Sequence, residues 1–244
     1  MQKTCIVIPC FNEGRRFRSK SFLDFAATHP GVFFLLIDDG SSDNTRDVLV
    51  DLKSENAVQF NFFVQQQNLG KGEAVREGIL KSLEWQKFDY VGYFDADLAT
   101  PLIEIEWLLH HMEQHPHPEM TFGSRQRNGA NIIERKTVRH ILGRVYAGFV
   151  TSSLGLKVHD TQCGAKIFTS SLAQELFKEP FIDRWLFDVE IFCRLKKLQR
   201  DHPIPYREVV LRQWTEMGHS RIRIIDLISL PVKTARIFIK YLNQ

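Results

Sequence analysis

The chain has 244 residues, 43% of them hydrophobic and 25% charged, with a formal net charge of +3. That length buries a substantial core as one large domain or two small ones, and the near-balanced charge without a basic tail argues against nucleic-acid binding. Four scattered cysteines, Cys5, Cys10, Cys163 and Cys193, lack zinc-type spacing and read as reduced thiols of a cytoplasmic protein.

The predicted elements alternate along the first half. "KTCIVIPC" reads as a strand, Glu13 to about Thr28 as a helix, and "GVFFLLID" as a second strand. "SDNTRDVLVDLKSE" is a helix with Val48, Leu49 and Leu52 on one face, and "AVQFNFFVQ" a third strand. A helix over "GKGEAVREGILKSLEW", a strand over "FDYVGYFDAD", a helix over "LIEIEWLLHHMEQ" and a strand over "EMTFGSR" follow. Arg127 to Asn131 reads as a loop, and "IIERKTVRHILGRVYAGFVTSSLG" as a basic amphipathic helix. Then come a loop and strand in "DTQCGAKIF", a helix in "RWLFDVEIFCRLKKL", a strand in "PYREVVLRQW" and a last helical stretch from about Ser220. The N-terminal apolar stretch is too short for a secretory signal, and no run approaches the roughly 18 apolar residues of a spanning helix.

Apolar strands alternating with helices predict a mostly parallel sheet covered on both faces. Ligands of such sheets collect beyond the carboxyl ends of the strands. The polar clusters there are Pro9 to Glu13, Asp38 to Asp43, Asn68 to Gly72, Asp95 to Asp97 and Gly123 to Arg125. Residues i and i+2 of a strand point the same way, so Asp95 and Asp97 converge on one point. Two close carboxylates repel unless a cation or proton lies between them, and hard oxygen donors suit Mg2+ or Mn2+. The plainer reading is a pair of turn acids or helix caps, with Thr100 before Pro101 the more natural cap. Lys71 between Gly70 and Gly72 at a helix start favours an anion, although neither P-loop nor dinucleotide-binding spacing is present.

"IVIPCFNE", "LLIDDGSSDNT", "NLGKGEAVREG", "YFDADLATP" and "FGSR" together resemble the family-2 inverting glycosyltransferases with the GT-A fold. "DTQCGAKIF", "RWLFDVEIFCRL" and "REVVLRQWTEMGHSRI" resemble the polyprenyl-phosphate sugar transferases, the dolichyl-phosphate glucosyl branch more than the mannosyl one. The resemblance spans about residues 4 to 230. It implies an α/β, Rossmann-like GT-A domain over residues 1–219 with a basic amphipathic segment over 220–244. It also implies that Pro9, Asn12 and Glu13 line the nucleotide pocket, that Asp39, with Asp38 beside it, holds the base or ribose, and that Lys71 lies beside the nucleotide. Asp95 is expected to orient the donor sugar or metal, Asp97 to bind the divalent ion, and Arg125 to meet a phosphate. Ala99 departs from mannosyl relatives that carry a glutamine there, and the spanning segments of many relatives are not found.

The implied reaction moves a hexose from a nucleotide diphosphate sugar, UDP-glucose ahead of GDP-mannose, to a polyprenyl monophosphate. A phosphate acceptor, with a second pKa of about 6, is already largely anionic, so cations matter more than a general base. Arg125, Arg127, Arg135, Lys136, Arg139 and Arg144 are candidates, Arg125 and Arg139 first and Arg135 next; the plainer reading is solvated charge on an amphipathic helix. Asp160 and Gln162 shape either an acceptor loop or a structural turn, and Asp188 and Glu190 read as helix-face structural residues. Trp85, Trp107 and Trp185 read as core and Trp214 as a wall of the sugar or lipid site. The C-terminal stretch, with Arg221, Arg223, Lys233, Arg236 and Lys240 among isoleucines and leucines and a break or kink at Pro231, fits a helix in a membrane interface or one docked on the core or a partner protein. The expected location is cytoplasmic, at the inner face of a membrane. Rival readings are transfer to a glycan hydroxyl and nucleotide-sugar binding without turnover.

Overall fold

The computed structural model describes residues 2–127, 131–134, 148, 150, 152, 155–217 and 224–242. The main sheet has seven strands in the order β3-β2-β1-β4-β7-β5-β8: β1 Thr4–Cys10, β2 Val32–Asp38, β3 Phe60–Val64, β4 Tyr90–Phe94, β5 Met120–Ser124, β7 Ala165–Thr169 and β8 Tyr206–Val210. Two short strands, β6 Ile132–Glu134 and β9 Gln213–Thr215, pair in parallel outside it. The helices are α1 Ser19–Thr28, α2 Thr45–Glu55, α3 Lys71–Trp85, α4 Ile103–Glu113, α5 Ser170–Phe177, α6 Phe187–Leu198 and α7 Ile224–Leu242.

β1 and β2 are almost wholly apolar because both of their faces are covered. On one face Ala74, Val75 and Ile79 of α3, Leu172 and Leu176 of α5 and Ile191 of α6 pack on Val7, Leu35 and Val91. On the other, Phe22 of α1, Leu49 and Leu52 of α2 and Ile105 and Leu108 of α4 pack on Ile6, Ile8 and Leu36. Gly78 lets α3 lie directly on β1, since a Cβ there would come within 2.3 Å of Val7.

The sheet is mostly parallel, as the alternating pattern predicts, with one reversal. β7 enters between β4 and β5 and runs antiparallel to both. The start of β7 therefore lies at the same edge as the ends of β4 and β5.

Several boundaries differ from the sequence reading. Residues Glu13 to Arg18 form a turn in which Arg16 N and Phe17 N donate to Glu13 O, so α1 begins at Ser19. Ile132 starts a short strand rather than a helix, and "PYREVVLRQW" divides into β8 and β9 in different sheets. Of the predicted helix after Ile132, Arg135, Lys136, Arg139 and Arg144 lie outside the described residues, as do Arg221 and Arg223. The predicted break at Pro231 is absent: α7 runs through it. Thr234, Ile237 and Tyr241 are buried, and Tyr241 Oη, accepting from Arg194 Nε at 3.2 Å and donating to Glu190 Oε1 at 2.8 Å, docks the helix on α6.

Candidate active site

The ends of β1 and β2 are laced into one loop pair. Asn12, at a φ of 50°, donates its N–H to Ser41 Oγ and accepts at Oδ1 from Ser42 N, both at 2.9 Å. Thr45 Oγ1 accepts from Glu13 N at 2.8 Å and Gly14 N at 3.0 Å. Pro9 lies one register position before the end of β1, opposite Ile37. Asp38 Oδ1 accepts from Ser41 N at 2.9 Å.

Asp39 is buried and holds the next loop. Its carboxylate accepts from Leu69 N at 2.7 Å, Gly70 N at 2.9 Å and Asn68 Nδ2 at 2.9 Å. Burial pushes its carboxyl above the ordinary range, against the pull of the Leu69 and Gly70 N–H groups. The aspartate expected at the nucleotide thus also fixes the glycine loop that carries Lys71. Gly70, at a φ of 95°, makes the turn into α3.

Lys71 Nζ reaches Asp95 Oδ1 at 2.5 Å across the cleft. Burial works against its charge, but Asp95 and Asp188 outweigh it and hold the ammonium above its usual range. Asp95 rests on the backbone of the loop before β7: a Cβ on Gly164 would lie 2.2 Å from Asp95 Oδ2. Gly164→Ala is therefore expected to displace the carboxylate from Lys71 and lower turnover on the order of 100-fold, with the fold retained by circular dichroism. Wild-type turnover in that variant would remove Gly164 from the site.

Asp97 is exposed in the turn after β4, so the two aspartates follow the strand instead of alternating along it as expected. Its Oδ1 accepts from Ala99 N at 3.0 Å. The surrounding protein and the neighbouring Asp95 charge hold its carboxyl above the ordinary range. Neither Asp97 nor the buried Thr100 caps α4, whose N-cap is Leu102 without a side-chain cap bond. Among the described residues no three metal-ligating side chains converge. One cation, Lys71, already sits on Asp95, whereas Asp97 makes no ion pair among the described residues. That donor set fits a magnesium- or manganese-type ion completing its shell with phosphate oxygens and water, not an all-protein cage.

Arg125 is committed to Asp160. Its Nε and one terminal nitrogen fork onto the carboxylate at 2.7 and 2.8 Å, its backbone N–H adds a third bond at 3.1 Å, and the guanidinium lies 5.4 Å from the Trp214 ring. Glu208 of β8 in turn fixes His159 and Asp160 through their backbone N–H groups at 2.8 and 2.9 Å. Asp160 therefore orients a site cation, and Trp214 stands beside that cation.

Two residues that sequence reasoning passed over complete the floor. Lys166, inside the apolar strand β7, is fully buried. Its ammonium and the Tyr93 hydroxyl both donate to Asp188 Oδ1. The available signal was a lysine in "AKIFT", a stretch otherwise without charge. Trp185 corrects the expectation of a core residue: it is 38% exposed on the loop before α6, where Arg184 packs its side chain against Gly70. Trp85 packs on Phe33 and Phe88, and Trp107 donates to Val210 O at 3.2 Å.

Comparison with known proteins fits this geometry. The solved structure of glucosyl-3-phosphoglycerate synthase from Mycobacterium tuberculosis with Mn2+, UDP and glucosyl-3-phosphoglycerate superposes with a TM-score of 0.64 at 19% identity, over 99% of this chain and 79% of that one. Mannosyl-3-phosphoglycerate synthase from Rubrobacter xylanophilus superposes with a TM-score of 0.72 at 15% identity, over 100% and 76%. At such identities the likeness establishes the fold. In sequence, dolichyl-phosphate beta-glucosyltransferase of Dictyostelium discoideum is 31% identical over 95% of this chain and 71% of its own length. The Drosophila melanogaster protein of the same name is 31% identical over 89% and 68%. The model of glycosyl transferase family 2 matches residues 5–177. With its carboxylate pair at the end of β4 and its loops gathered at that edge, the chain belongs to glycosyl transferase family 2.

Proposed function

We propose that this glycosyltransferase moves glucose, with inversion, from UDP-glucose to a polyprenyl monophosphate. The observation that carries the reading is the Lys71–Asp95–Asp97 cluster at the sheet edge, in a chain similar to dolichyl-phosphate beta-glucosyltransferases over nearly its whole length. GDP-mannose is the second donor to test. Pro9, Asn12, Glu13, Asp38 and Asp39 border the nucleotide end of the cleft.

Asp97, with Asp95 beside it, would hold a divalent ion, Mg2+ or Mn2+. When bound, such an ion neutralises charge developing on the departing diphosphate. Lys71 keeps Asp95 in place and adds positive charge at the same point. Arg125, aimed by Asp160, and Arg139, assigned by resemblance, are the proposed cations for the acceptor phosphate. The acids around the cleft floor favour a phosphate over a hydroxyl acceptor. Asp95 is paired with Lys71, Asp160 with Arg125 and Asp188 with Lys166, so none of the three is poised as a base, and an anionic acceptor needs none.

A lipid acceptor calls for contact with a membrane. Among the described residues no helix is long and apolar enough to cross one. The outward side of α7 instead presents Val232, Ala235, Arg236, Ile239 and Lys240, with Val232 66% and Ile239 62% exposed. An apolar stripe flanked by cations suits a negatively charged lipid surface, and we assign α7 to the inner face of a membrane. Val232→Asp with Ile239→Asp is expected to release the protein from anionic vesicles in co-sedimentation without lowering its melting temperature. Undiminished sedimentation would move the contact elsewhere.

The test of the activity is release of nucleoside diphosphate from UDP- and GDP-sugars, with and without polyprenyl phosphate and Mn2+. UDP release from UDP-glucose that depends on the lipid phosphate supports the reading. Lipid-independent binding without turnover sends the acceptor search to glycan hydroxyls.

A further inference from the structure

Under the cleft, three elements meet at one buried carboxylate. Tyr93 comes from β4, Lys166 from β7 and Asp188 from the first turn of α6. All three are buried, and the phenol and ammonium share Asp188 Oδ1. A buried ion pair is seldom a net source of stability against well-packed apolar side chains of the same volume. Its presence here calls for a role in geometry.

The contacts supply one. Lys166 Nζ also donates to Cys163 O at 2.6 Å, pinning the loop that leads into β7. One residue on, Gly164 forms the surface on which Asp95 rests. At the other end of the same loop, Asp160 accepts the fork of Arg125. Tyr93 lies in β4 two residues before Asp95, which directly follows the strand's last residue Phe94, so its bond to Asp188 holds the end of β4 that leads into the carboxylate. Asp188 follows Phe187, whose ring lies 5.7 Å from Lys71 Nζ.

We propose that Lys166, Asp188 and Tyr93 are positioning residues: they clamp the 160–164 loop and the end of β4, and through them set Asp95 against Lys71 and Arg125 against Asp160. None of the three touches a reacting atom. The clamp works through the carbonyl of Cys163 and the backbone of Gly164. Its effect on turnover rests on the glycosyltransferase reading above; its effect on the loop does not.

The test compares Lys166→Met with the double variant Lys166→Met/Asp188→Leu. The single variant leaves an uncompensated buried carboxylate and is expected to melt at lower temperature. The double variant removes both charges and is expected to recover part of the stability lost in the single one, less the cost of leaving the buried Tyr93 hydroxyl and Cys163 carbonyl without these partners, yet to keep a kcat on the order of 100-fold below wild type with the KM for nucleotide sugar little changed. Recovery of kcat together with stability would overturn the proposal. A second measurement needs no substrate. Cys163 is fully buried, as are Cys5, Cys10 and Cys193. In the double variant Cys163, mapped by mass spectrometry, is expected to react with a thiol reagent about tenfold faster than in wild type, as for a locally released segment, while the other three cysteines do not change. Unchanged Cys163 reactivity would overturn the clamp even if no donor sugar is turned over, and failure of the wild type to transfer sugar would bear on the proposed function alone.

Discussion

Asp97→Asn is expected to lower turnover on the order of 1,000-fold, the scale of losing a principal electrostatic contact to a leaving group, and to leave the protein no less stable. The asparagine oxygen can keep the bond from Ala99 N, and the site is exposed, so nothing in the packing is disturbed. The charge is what changes. The surrounding protein first, and then Asp95, raise the Asp97 pKa, so its folded pKa lies above its unfolded one. Such a carboxyl binds its proton more tightly in the folded state, and stability from this group falls as pH rises from the ordinary carboxylate range through the folded pKa. Near neutral pH, without metal, the wild type bears that cost and the asparagine variant does not. A divalent ion reverses the sign by favouring the carboxylate. Melting curves should therefore show Mn2+ with UDP stabilising the wild type at neutral pH, less as pH drops and Asp97 takes up a proton, and barely at all in Asp97→Asn. Turnover in the variant within tenfold of wild type would remove Asp97 from the metal.

Arg125→Met should destabilise the fold as well as the site. It takes the cation from Asp160, which is mostly buried and bound to Arg125 by three hydrogen bonds; methionine keeps the backbone bond and loses the fork. Removing one partner of such a pair costs about 3 kcal/mol, which in a chain of this size lowers the melting temperature by about 10 °C. Arg125→Lys restores a charge but not the planar fork, and should fall between the two in stability. Both variants should lose lipid-phosphate-dependent turnover, measured as a rise in acceptor KM. A stable Arg125→Met protein with unchanged KM would make the pair ornamental to both fold and site.

Much of this was legible in the sequence because strand periodicity and sheet-edge chemistry are local. "CIVIP", "FFLLI" and "YVGYF" declare buried strands, and Asp38 ends a strand, Asp95 follows one and Lys71 starts a helix, where the edge must be. The reversal of β7 was not legible. An apolar strand reads the same in either direction, and only the pairing with β4 and β5 distinguishes them. The partners of Arg125 and Asp188 were hidden for a related reason. Arg125 meets Asp160 across 35 positions and Tyr93 meets Asp188 across 95, separations at which charge pattern carries no information. Trp185 misled because a tryptophan beside "LF" looks like core, whereas the helix begins two residues later and leaves it on the preceding loop.

The backward run of β7 also sets an order of events during synthesis. By the time α4 has emerged, β1, β2, β3 and β4 can pair and the loops at their ends can interlock. β4 then stands at the margin of a half-made sheet, its N–H and C=O groups open to any other chain. Asp95 has no surface to rest on until Gly164 is delivered, and Tyr93 no acceptor until Asp188 follows. A nascent chain halted between β5 and β7 is thus a sticky fragment with half of its sugar-transfer site formed, and ribosome-bound chains of that length are the ones a chaperone would need to shield.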